Sequence, residues 1–357
     1  MPPSTESLIN DIVLSTRRKF INDSRNQIET IFTYQKYPFM NDMMGPDRVK
    51  EKGGRGLIFE IQLANDNSAS FRDMFGQDTY NVSSTMSEGT ERWGRVNNNW
   101  TFDVDELFQN ADNEVRVINL LNARRLASMK GRADLLERSF WAVLPDPTDK
   151  KSILGVEYWL PSGTYDTFGW TGKNPTGYSL TGGIDASVDA GAGWRSWFAG
   201  GSGYFSDYNE ELVDTMILAF DEIAFEGPML VTDLVSNPSL KKFTIVMNRQ
   251  TRAGLVKLQR HANDQIGPEL NYFNGTISFN GIPLQRVPVL DDDDTDPIYF
   301  LNRNKFKVHT LKGSDNREEG PEKMPGRHTV RVVDQDTTCQ AVCINRHEQG
   351  KIAKDAA

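Results

Sequence analysis

The chain has 357 residues, of which 25% are charged and 10% are aromatic, as in a folded globular protein and unlike a disordered one. Its formal net charge of −9 argues against a general nucleic-acid binder, because such proteins need a basic surface to neutralise phosphates. No apolar run approaches the roughly 20 residues needed to span a bilayer, and two cysteines cannot form a disulfide framework in a chain of this size.

The first segment, residues 4–39, is predicted to be an arm with one or two helices, because its apolar residues fall at loosely helical spacing up to Pro38. It has no basic start followed by an uninterrupted apolar core, so no secretory signal is predicted and we expect synthesis in a reducing cytoplasm. Arg17, Arg18 and Lys19 could contact a polyanion, but acidic residues on the same arm favour a solvated surface.

Two extended stretches follow and are predicted to form a long ribbon. Residues 57–63 alternate between apolar and polar side chains, which is typical of a strand. The second extended stretch covers 91–107, with a polar tip around "NVSSTMSEGT". The ribbon is too polar to be buried in the core of its own subunit, and an isolated ribbon is marginally stable, so we expect a further surface to support it.

The strongest helical pattern lies over residues 112–144, where apolar side chains recur every three to five positions until Pro145. A second helix is predicted around "NEELVDTMILAF", followed by a short buried strand in "KKFTIVMN" and a helix in "RQTRAGLVKLQRHAN". Further strands are predicted on either side of Asn280-Gly281, and in "HTVRVVDQD" and "TTCQAVCINR". Helices and strands are segregated, so the predicted fold class is α+β.

Glycine and large aromatic residues are concentrated between residues 150 and 208, above all in "TGGIDASVDAGAGWRSWFAGG" (181–201). A sugar-stacking platform, a core beneath a glycine-rich loop and a protein–protein contact would all use such residues. For Trp194 and Arg195 the residue types favour packing in their own core and anchoring of a subunit interface equally, with ligand stacking as the weaker alternative.

Catalytic and metal-binding motifs are missing from the sequence: it has no phosphate-binding loop with lysine, no Gly-x-Ser-x-Gly and no His-Glu-x-x-His. The four histidines, His261, His309, His328 and His347, have no convincing catalytic partner nearby in sequence. We therefore predict no catalytic residue, no metal and no cofactor.

Two further groups could bind a metal, but both have simpler explanations. The four aspartates at 291–294 lack the ligand spacing of a calcium loop and are predicted to form a solvated turn. Cys339 and Cys343 lack the second pair of ligands that zinc needs, and are predicted to be small buried side chains.

Three stretches of the sequence resemble the major capsid proteins of tailed bacteriophages with the Hong Kong 97-type fold. "LTGGIDASVDAGAGWRSW" is similar to a Gly-Gly-Ile-Asp segment with a tryptophan–arginine pair about ten residues later. "FNGIPLQRVPVLDDDDTDPIYFLNRNKFKVHTLKG" resembles their Gly-Ile-Pro, Tyr-Phe-Leu-Asn and lysine-rich strands. "CINRHEQGKI" resembles a closing Asn-Pro-Arg strand, although Asn345 and Arg346 have no proline between them here.

The resemblance implies a division of the chain by position in a shell. This division is an N-terminal arm (1–50), an extended loop (51–105), a peripheral domain (106–208) with a spine helix (112–144) and the glycine-aromatic loop, an axial domain (209–325) and C-terminal strands that return to the peripheral domain (326–357).

The implied function is a structural head protein, not an enzyme, that assembles through hexamers and pentamers into an icosahedral shell around double-stranded DNA. The expected partners are other copies, a separate scaffolding protein and a portal, with a decoration protein as a further possibility, DNA bound without sequence specificity, and no membrane. The expected location is the virion, after synthesis in the cytoplasm of the bacterial host. We predict that the subunit interface includes Arg92, Trp93, Arg95, Trp194, Arg195 and Trp197.

A carbohydrate-active enzyme or sugar-binding module is the alternative prediction, because it would use the same Trp/Tyr-rich loops. A glycosidase would need two carboxyl groups about 5–10 Å apart across an aromatic cleft. Whether two such carboxyl groups line a pocket therefore separates the two hypotheses.

Overall fold

The computed structural model describes residues 37–45, 47–63, 71, 74, 86–109, 114–142, 144–224, 243–261, 270–273 and 276–354. The predicted arm lies outside these residues as far as residue 36, and its described end forms a short π-helix, Phe39–Met43. Helices and sheets are both present, which confirms the mixed fold class. No helix of the described ranges is long and apolar enough to cross a membrane.

The α-helices of the described residues agree with the sequence prediction where that prediction was strongest. The helix predicted over 112–144 begins at Glu114 and ends at Trp141. In chain order the helices are α1 (Val104–Gln109), α2 (Glu114–Trp141), α3 (Val156–Trp159), α4 (Glu210–Ile223) and α5 (Arg249–His261).

The strands of the described residues form three sheets. In chain order they are β1 (Val49–Glu51), β2 (Leu57–Gln62), β3 (Met86–Glu91), β4 (Gly94–Asp103), β5 (Thr167–Gly172), β6 (Ser196–Gly200), β7 (Phe243–Met247), β8 (Leu270–Phe273), β9 (Thr276–Phe279), β10 (Ile282–Arg286), β11 (Ile298–Asn302), β12 (Phe306–Leu311), β13 (Arg317–Lys323), β14 (Val330–Cys343) and β15 (Gly350–Ala353).

The chain divides into two compact units, and the described part of the first lies within residues 37–53, 94–138 and 309–339. Its sheet has the order β1-β12-β14-β13, and β4 pairs with β14 in antiparallel register. One face of this sheet carries Trp100, Phe102 and Val333, which pack with Leu107 of α1 and Leu121 of α2. The helix α2 therefore closes a small apolar core against β4 and β14.

The second unit comprises residues 54–93, 139–308 and 340–357. Its sheet has the order β5-β6-β15-β11-β7-β10-β9-β8, with parallel pairs among the antiparallel ones. The core of this unit includes Trp197 of β6, Met216 of α4 and Leu255 of α5, all fully buried. Asn280 and Gly281 both have positive φ (48° and 77°), as a two-residue hairpin turn between β9 and β10 requires, which confirms the predicted turn.

The ribbon prediction was wrong about its second strand. The partner of β2 is β3 (Met86–Glu91), which the sequence analysis had assigned largely to the polar tip. The stretch beyond it forms β4, which belongs to the first unit and pairs there along its full length with β14. The alternation lies in β4 (GRVNNNWTFD), whereas β3 (MSEGTE) is almost entirely polar, so the polarity pattern pointed to the wrong partner.

The C-terminal prediction of two separate strands was also wrong, because Val330–Cys343 is one strand of 14 residues. "DQD" resembles a turn, yet Gln335 and Thr337 inside β14 are buried and hydrogen-bonded. Gln335 donates to the carboxylate of Glu318, and Arg132 of α2 donates to the Thr337 hydroxyl at 3.2 Å. Partners on other elements therefore keep these polar residues in a strand.

A buried ion pair attaches α2 to β13 within the first unit. The Arg125 guanidinium donates to both oxygens of Glu318, at 2.9 and 3.0 Å, and both side chains are less than a tenth exposed. Such a pair is costly to break on one side, because the remaining charge stays buried without its counterion.

We expect Glu318→Ala to lower the free energy of unfolding by about 3–5 kcal/mol, since it removes the carboxylate that pairs with the buried Arg125 guanidinium. Urea denaturation of the purified subunit measures the change. The double replacement Arg125→Met with Glu318→Leu is the matched control and should recover most of the loss. A single variant that is as stable as the double variant would contradict this account.

Candidate functional site

The base of the ribbon β2–β3 lies against the glycine-aromatic segment of the second unit. Phe59, on the inner face of β2, has its ring centroid 6.5 Å from Trp159 and 6.1 Å from Trp194. The two tryptophans meet edge to face, with centroids 6.4 Å apart and an interplanar angle of 85°. The rings of Trp159 and Trp194 are buried, so the base of the ribbon is anchored on a rigid aromatic cluster.

Gly182 and Gly183 allow the ribbon to approach this segment closely. Both have positive φ, 61° and 80°, a conformation that favours glycine. A Cβ on Gly182 would lie 3.1 Å from Trp159 and 3.2 Å from Phe59, and one on Gly183 would lie 3.0 Å from the amide nitrogen of Thr90. Thr90 N–H also donates to the Gly182 carbonyl at 3.0 Å. Glycine is therefore needed at this contact because two backbones meet there.

Glu91, the last residue of β3, is the polar centre of the site. Its carboxylate accepts hydrogen bonds from the Tyr158 hydroxyl at 2.6 Å, from Gly182 N–H at 3.1 Å and from Arg92 N–H at 3.3 Å. Burial raises the pKa of Glu91, while these hydrogen bonds act to lower it. Burial and the neighbouring carboxylate raise the pKa of Tyr158, so the tyrosine stays a donor.

Arg346 supports the same cluster from below and is completely buried. Its guanidinium donates to the backbone carbonyls of Trp159 at 2.6 Å and Lys173 at 2.7 Å, and it lies over the Trp194 ring at 5.8 Å. Burial lowers the pKa of Arg346 to about 10, which still leaves the side chain charged at neutral pH. The segment from α3 to β5 is therefore bound to the C-terminal residues before β15.

The three tryptophans predicted at a subunit interface are core residues of their own unit. Trp194 is 1% exposed and donates to the Thr181 carbonyl at 2.8 Å. Trp197 is 0% exposed and donates to Glu222, and Trp93 is 7% exposed and donates to the Gly54 carbonyl at 3.0 Å. Of the two alternatives for Trp194, packing in its own core is the one observed, and none of the three indoles has the exposed surface that a contact with a second subunit needs.

The three predicted interface arginines differ in accessibility. Arg195 is partly buried and donates to the Ala186 carbonyl at 2.9 Å, so it holds its own loop together. Arg92 is partly buried and its carbonyl accepts from the Gln340 side chain at 3.0 Å. Arg95 is exposed on β4, opposite Thr338 of β14. An interface role stays a prediction, and Arg95 is the best placed of the six residues for it.

The remaining candidates have structural roles wherever they are described. Asp291 accepts hydrogen bonds from Arg249 N–H at 2.7 Å and from the Arg286 side chain, so the aspartate run forms a stabilised turn. Cys339 and Cys343 are buried free thiols, as predicted, and burial raises the pKa of each to about 12. Among the described residues no group of three or more His, Cys, Asp or Glu side chains could hold a metal. Arg17, Arg18 and Lys19 lie outside the described residues.

His347 is the histidine with the most distinctive surroundings. Its ring stacks on Trp170 with centroids 4.3 Å apart and an interplanar angle of 5°. Burial lowers its pKa below the usual 6.5, although a hydrogen bond with the Arg195 backbone and the carboxylates of Glu348 and Glu222 act in the opposite direction. The folded state therefore favours the neutral imidazole.

Two contacts of this site join residues that are far apart in the sequence, so the sequence analysis could not predict them. Glu91 and Tyr158 are separated by 67 positions, and Arg346 lies 187 positions after Trp159. The signal that was available is the Gly-Gly pair at 182–183 beside large aromatics, which indicates a close approach of another chain segment.

No family model matches the chain, and no curated protein matches it. Several solved structures match the chain. A chain of the cyanophage A-1(L) capsid asymmetric unit superposes with a TM-score of 0.60 at 12% identity, covering 89% of this chain and 92% of that one. A chain from the capsid of Myoviridae phage XM1 superposes with a TM-score of 0.50 at 10% identity over 91% and 95% of the two chains.

The chain has the Hong Kong 97-type capsid fold. A chain of Gordonia phage Cozz also matches, with a TM-score of 0.50 and 10% identity over 87% of this chain and 85% of that one. At 10–12% identity the fold is shared, although most of the aligned side chains differ. The peripheral and axial domains of a Hong Kong 97-type subunit are defined by position in a shell, so the predicted boundaries stay predictions.

We expect Trp194→Ala to lower the free energy of unfolding by about 3–5 kcal/mol, because it leaves a cavity beside Trp159 and Phe59. Urea denaturation of the unassembled subunit measures the loss. Leu180→Ala, at a side chain that is 44% exposed, is the control and should change stability by about 0.5 kcal/mol or less. A stable, normally folded Trp194→Ala subunit would contradict the core assignment.

We expect acid to destabilise the subunit through His347. Because its folded pKa lies below the unfolded value of 6.5, the unfolded chain binds the extra proton, so this stability is complete above pH 6.5 and is lost as the pH falls below it. In His347→Phe the ring stack is retained and the drop in melting temperature between pH of about 7.5 and about 5 should become smaller. His328→Gln, at an exposed histidine, should leave the drop unchanged, and an equal drop in all three proteins would refute the assignment.

Proposed function

We propose that the chain is the major capsid protein of a tailed bacteriophage, a structural subunit that assembles through hexamers and pentamers into an icosahedral shell around double-stranded DNA. The observation that carries the proposal is the fold match to a phage capsid subunit over 89% of the chain, with a TM-score of 0.60. The match also covers 92% of that capsid chain, so it extends over the whole subunit fold and not over one domain of it.

The outer face of the ribbon supports a role in assembly. Ile58 of β2 is 68% exposed and Met86 of β3 is 55% exposed, while the inner face of the same ribbon packs on its own unit. An isolated two-stranded ribbon is marginally stable on its own, so we propose that another copy covers this outward face in the shell. In a closed shell each such contact is repeated, so weak contacts add up to a stable assembly.

The charge balance is compatible with a container for DNA. A net charge of −9 disfavours tight adhesion of the wall to the packaged genome, since like charges repel. We propose that DNA is enclosed without sequence-specific contacts, that a scaffolding protein and a portal take part in assembly, that a decoration protein is a further candidate partner, and that the subunit is made in the host cytoplasm before it enters the virion.

Four of the aromatic side chains that suggested a carbohydrate-active role are inaccessible to a sugar, whereas Phe168 of β5 is 44% exposed. Tyr158, Trp159, Trp194 and Trp197 are buried in the second unit and use their polar atoms for internal hydrogen bonds. A stacking platform would need exposed ring faces. We therefore propose a non-enzymatic function.

Electron microscopy of the purified chain, with light scattering across a concentration series, tests the proposal. We expect rings of five or six subunits, or closed shells, whose amount rises steeply with concentration. If the purified chain is monomeric, co-expression with the neighbouring genes supplies a scaffold. A monomer under both conditions would overturn the proposal.

A further inference from the structure

The hairpin turn between β9 and β10 carries a chemically reactive pair of residues. It consists of Asn280 and Gly281, which are both exposed and both have positive φ, 48° and 77°. An asparagine side chain can close a five-membered ring with the backbone nitrogen of the residue that follows it. Glycine permits this closure best, because it has no Cβ to crowd the nitrogen and its backbone is the least restricted. The turn therefore places a side-chain amide directly before the most permissive neighbour.

Neither reacting group is held by a hydrogen bond. Within the described residues, the Asn280 side chain has no hydrogen-bond partner and the Gly281 N–H donates to no acceptor. A Cβ added to Gly281 would meet no heavy atom within 4 Å, so the Asn280 side chain has room to rotate towards the glycine nitrogen. By contrast, the side chains of Asn209 and Asn248 accept backbone hydrogen bonds that hold them in place.

The turn can change its shape without unfolding of the second unit. The strand before it, β9, has four residues, and its pairing with β10 joins Phe279 to Ile282 and Ser278 to Pro283. The rest of β10, residues 284–286, is held separately by its parallel pairing with β7. Local opening of a short hairpin end costs less free energy than global unfolding, and such opening lets the reacting atoms meet.

We propose that Asn280 is a site of spontaneous deamidation in the folded chain. The Gly281 nitrogen loses its proton and attacks Cγ of Asn280, so that a C–N bond forms and Nδ2 leaves as ammonia with that proton. Water then opens the cyclic imide at either carbonyl, which gives an aspartate or an isoaspartyl residue. The only co-reactant is water, and the step is intramolecular because the two groups are neighbours in the turn. The inference does not depend on the proposed function.

The two products change the hairpin differently. Aspartate adds a negative charge at the exposed turn but keeps the backbone length, and Asp-Gly is itself a favoured pair for a two-residue hairpin turn. An isoaspartyl residue adds a backbone atom, so the turn no longer matches the strands that it joins. Phe279, directly before the turn, is completely buried in the core of the second unit. Isoaspartate should therefore weaken the packing of the hairpin, and aspartate should not.

Mass spectrometry of the aged full chain tests the inference. The folded protein is incubated at mildly alkaline pH and digested with trypsin, and fragment ions locate the reacted residue within the peptide 261–286. This peptide also contains Asn271, which is followed by tyrosine and is the internal control, and Asn274, which is followed by glycine and is read separately. We expect deamidation at Asn280 to be about tenfold faster than at Asn271 or more, and to accelerate as the pH rises, because the attacking nitrogen must lose a proton.

The same digest of a chain kept in urea shows whether the fold permits the reaction. If Asn280 reacts in the unfolded chain but stays intact in the folded one, the native turn protects it and the inference is refuted.

Two variants separate the chemistry from its structural consequence. Asn280→Gly removes the reacting amide and keeps the turn, because Gly-Gly also suits a two-residue hairpin. Its melting temperature should stay constant during ageing, whereas that of the wild type falls as isoaspartate accumulates. Freshly purified Asn280→Asp is the control for the added charge and should melt within about 2 °C of the fresh wild type. A fully reacted wild type that melts like the fresh protein would overturn the proposed strain in the turn.

A methylation assay gives an independent measurement. An isoaspartyl methyltransferase with labelled S-adenosylmethionine marks isoaspartyl residues, and the label that aged Asn280→Gly lacks relative to the aged wild type reports on position 280 alone. Equal labelling of the two proteins would contradict the assignment. Neither measurement requires assembly, so a failure of this inference leaves the capsid proposal standing, and a failure of that proposal leaves this inference testable.

Discussion

The buried guanidinium of Arg346 is the interaction on which the second unit depends most. A charge removed from water must find hydrogen-bond acceptors, or it destabilises the fold by several kcal/mol. Here the acceptors are backbone carbonyls of Trp159 and Lys173, and the guanidinium lies over the ring of Trp194. The arginine therefore fixes a segment that has few regular hydrogen bonds of its own, and that segment in turn supports the ribbon.

The aromatic cluster next to Arg346 is part of the core of the second unit and also holds the ribbon in place. Phe59 belongs to the ribbon, while Trp159 and Trp194 belong to the unit below it, so the same rings form the core and hold the ribbon. Glu91 and Tyr158 add a polar contact beside them, which leaves the buried carboxylate hydrogen-bonded. Among the described residues, Phe59 and Glu91 of the inner face thus pack within the subunit, while Ile58 and Met86 of the outer face are exposed.

The sequence predicted local structure well wherever one pattern dominated. The 3.6-residue spacing predicted α2 to within a few residues, and Asn280-Gly281 predicted a hairpin. Partners were not predictable in this way: β4 has the alternation of a strand but pairs with β14, and the almost entirely polar β3 is the partner of β2. For the site, residue types pointed to Trp194 but could not separate a core from an interface, because both environments favour large aromatics.

The contact of Gly182 and Gly183 with the ribbon also determines how the ribbon is oriented within its unit. From Ile58, opposite Thr90, to the end of β2 at Gln62 the strand extends about 13 Å, so a rotation of about 10° at the contact would move that end by roughly 2 Å. A shift of that size is comparable to the whole distance range over which an ion pair or a hydrogen bond is effective. The positions of surface contacts on the ribbon therefore depend on how closely the glycines and the buried rings pack at its base.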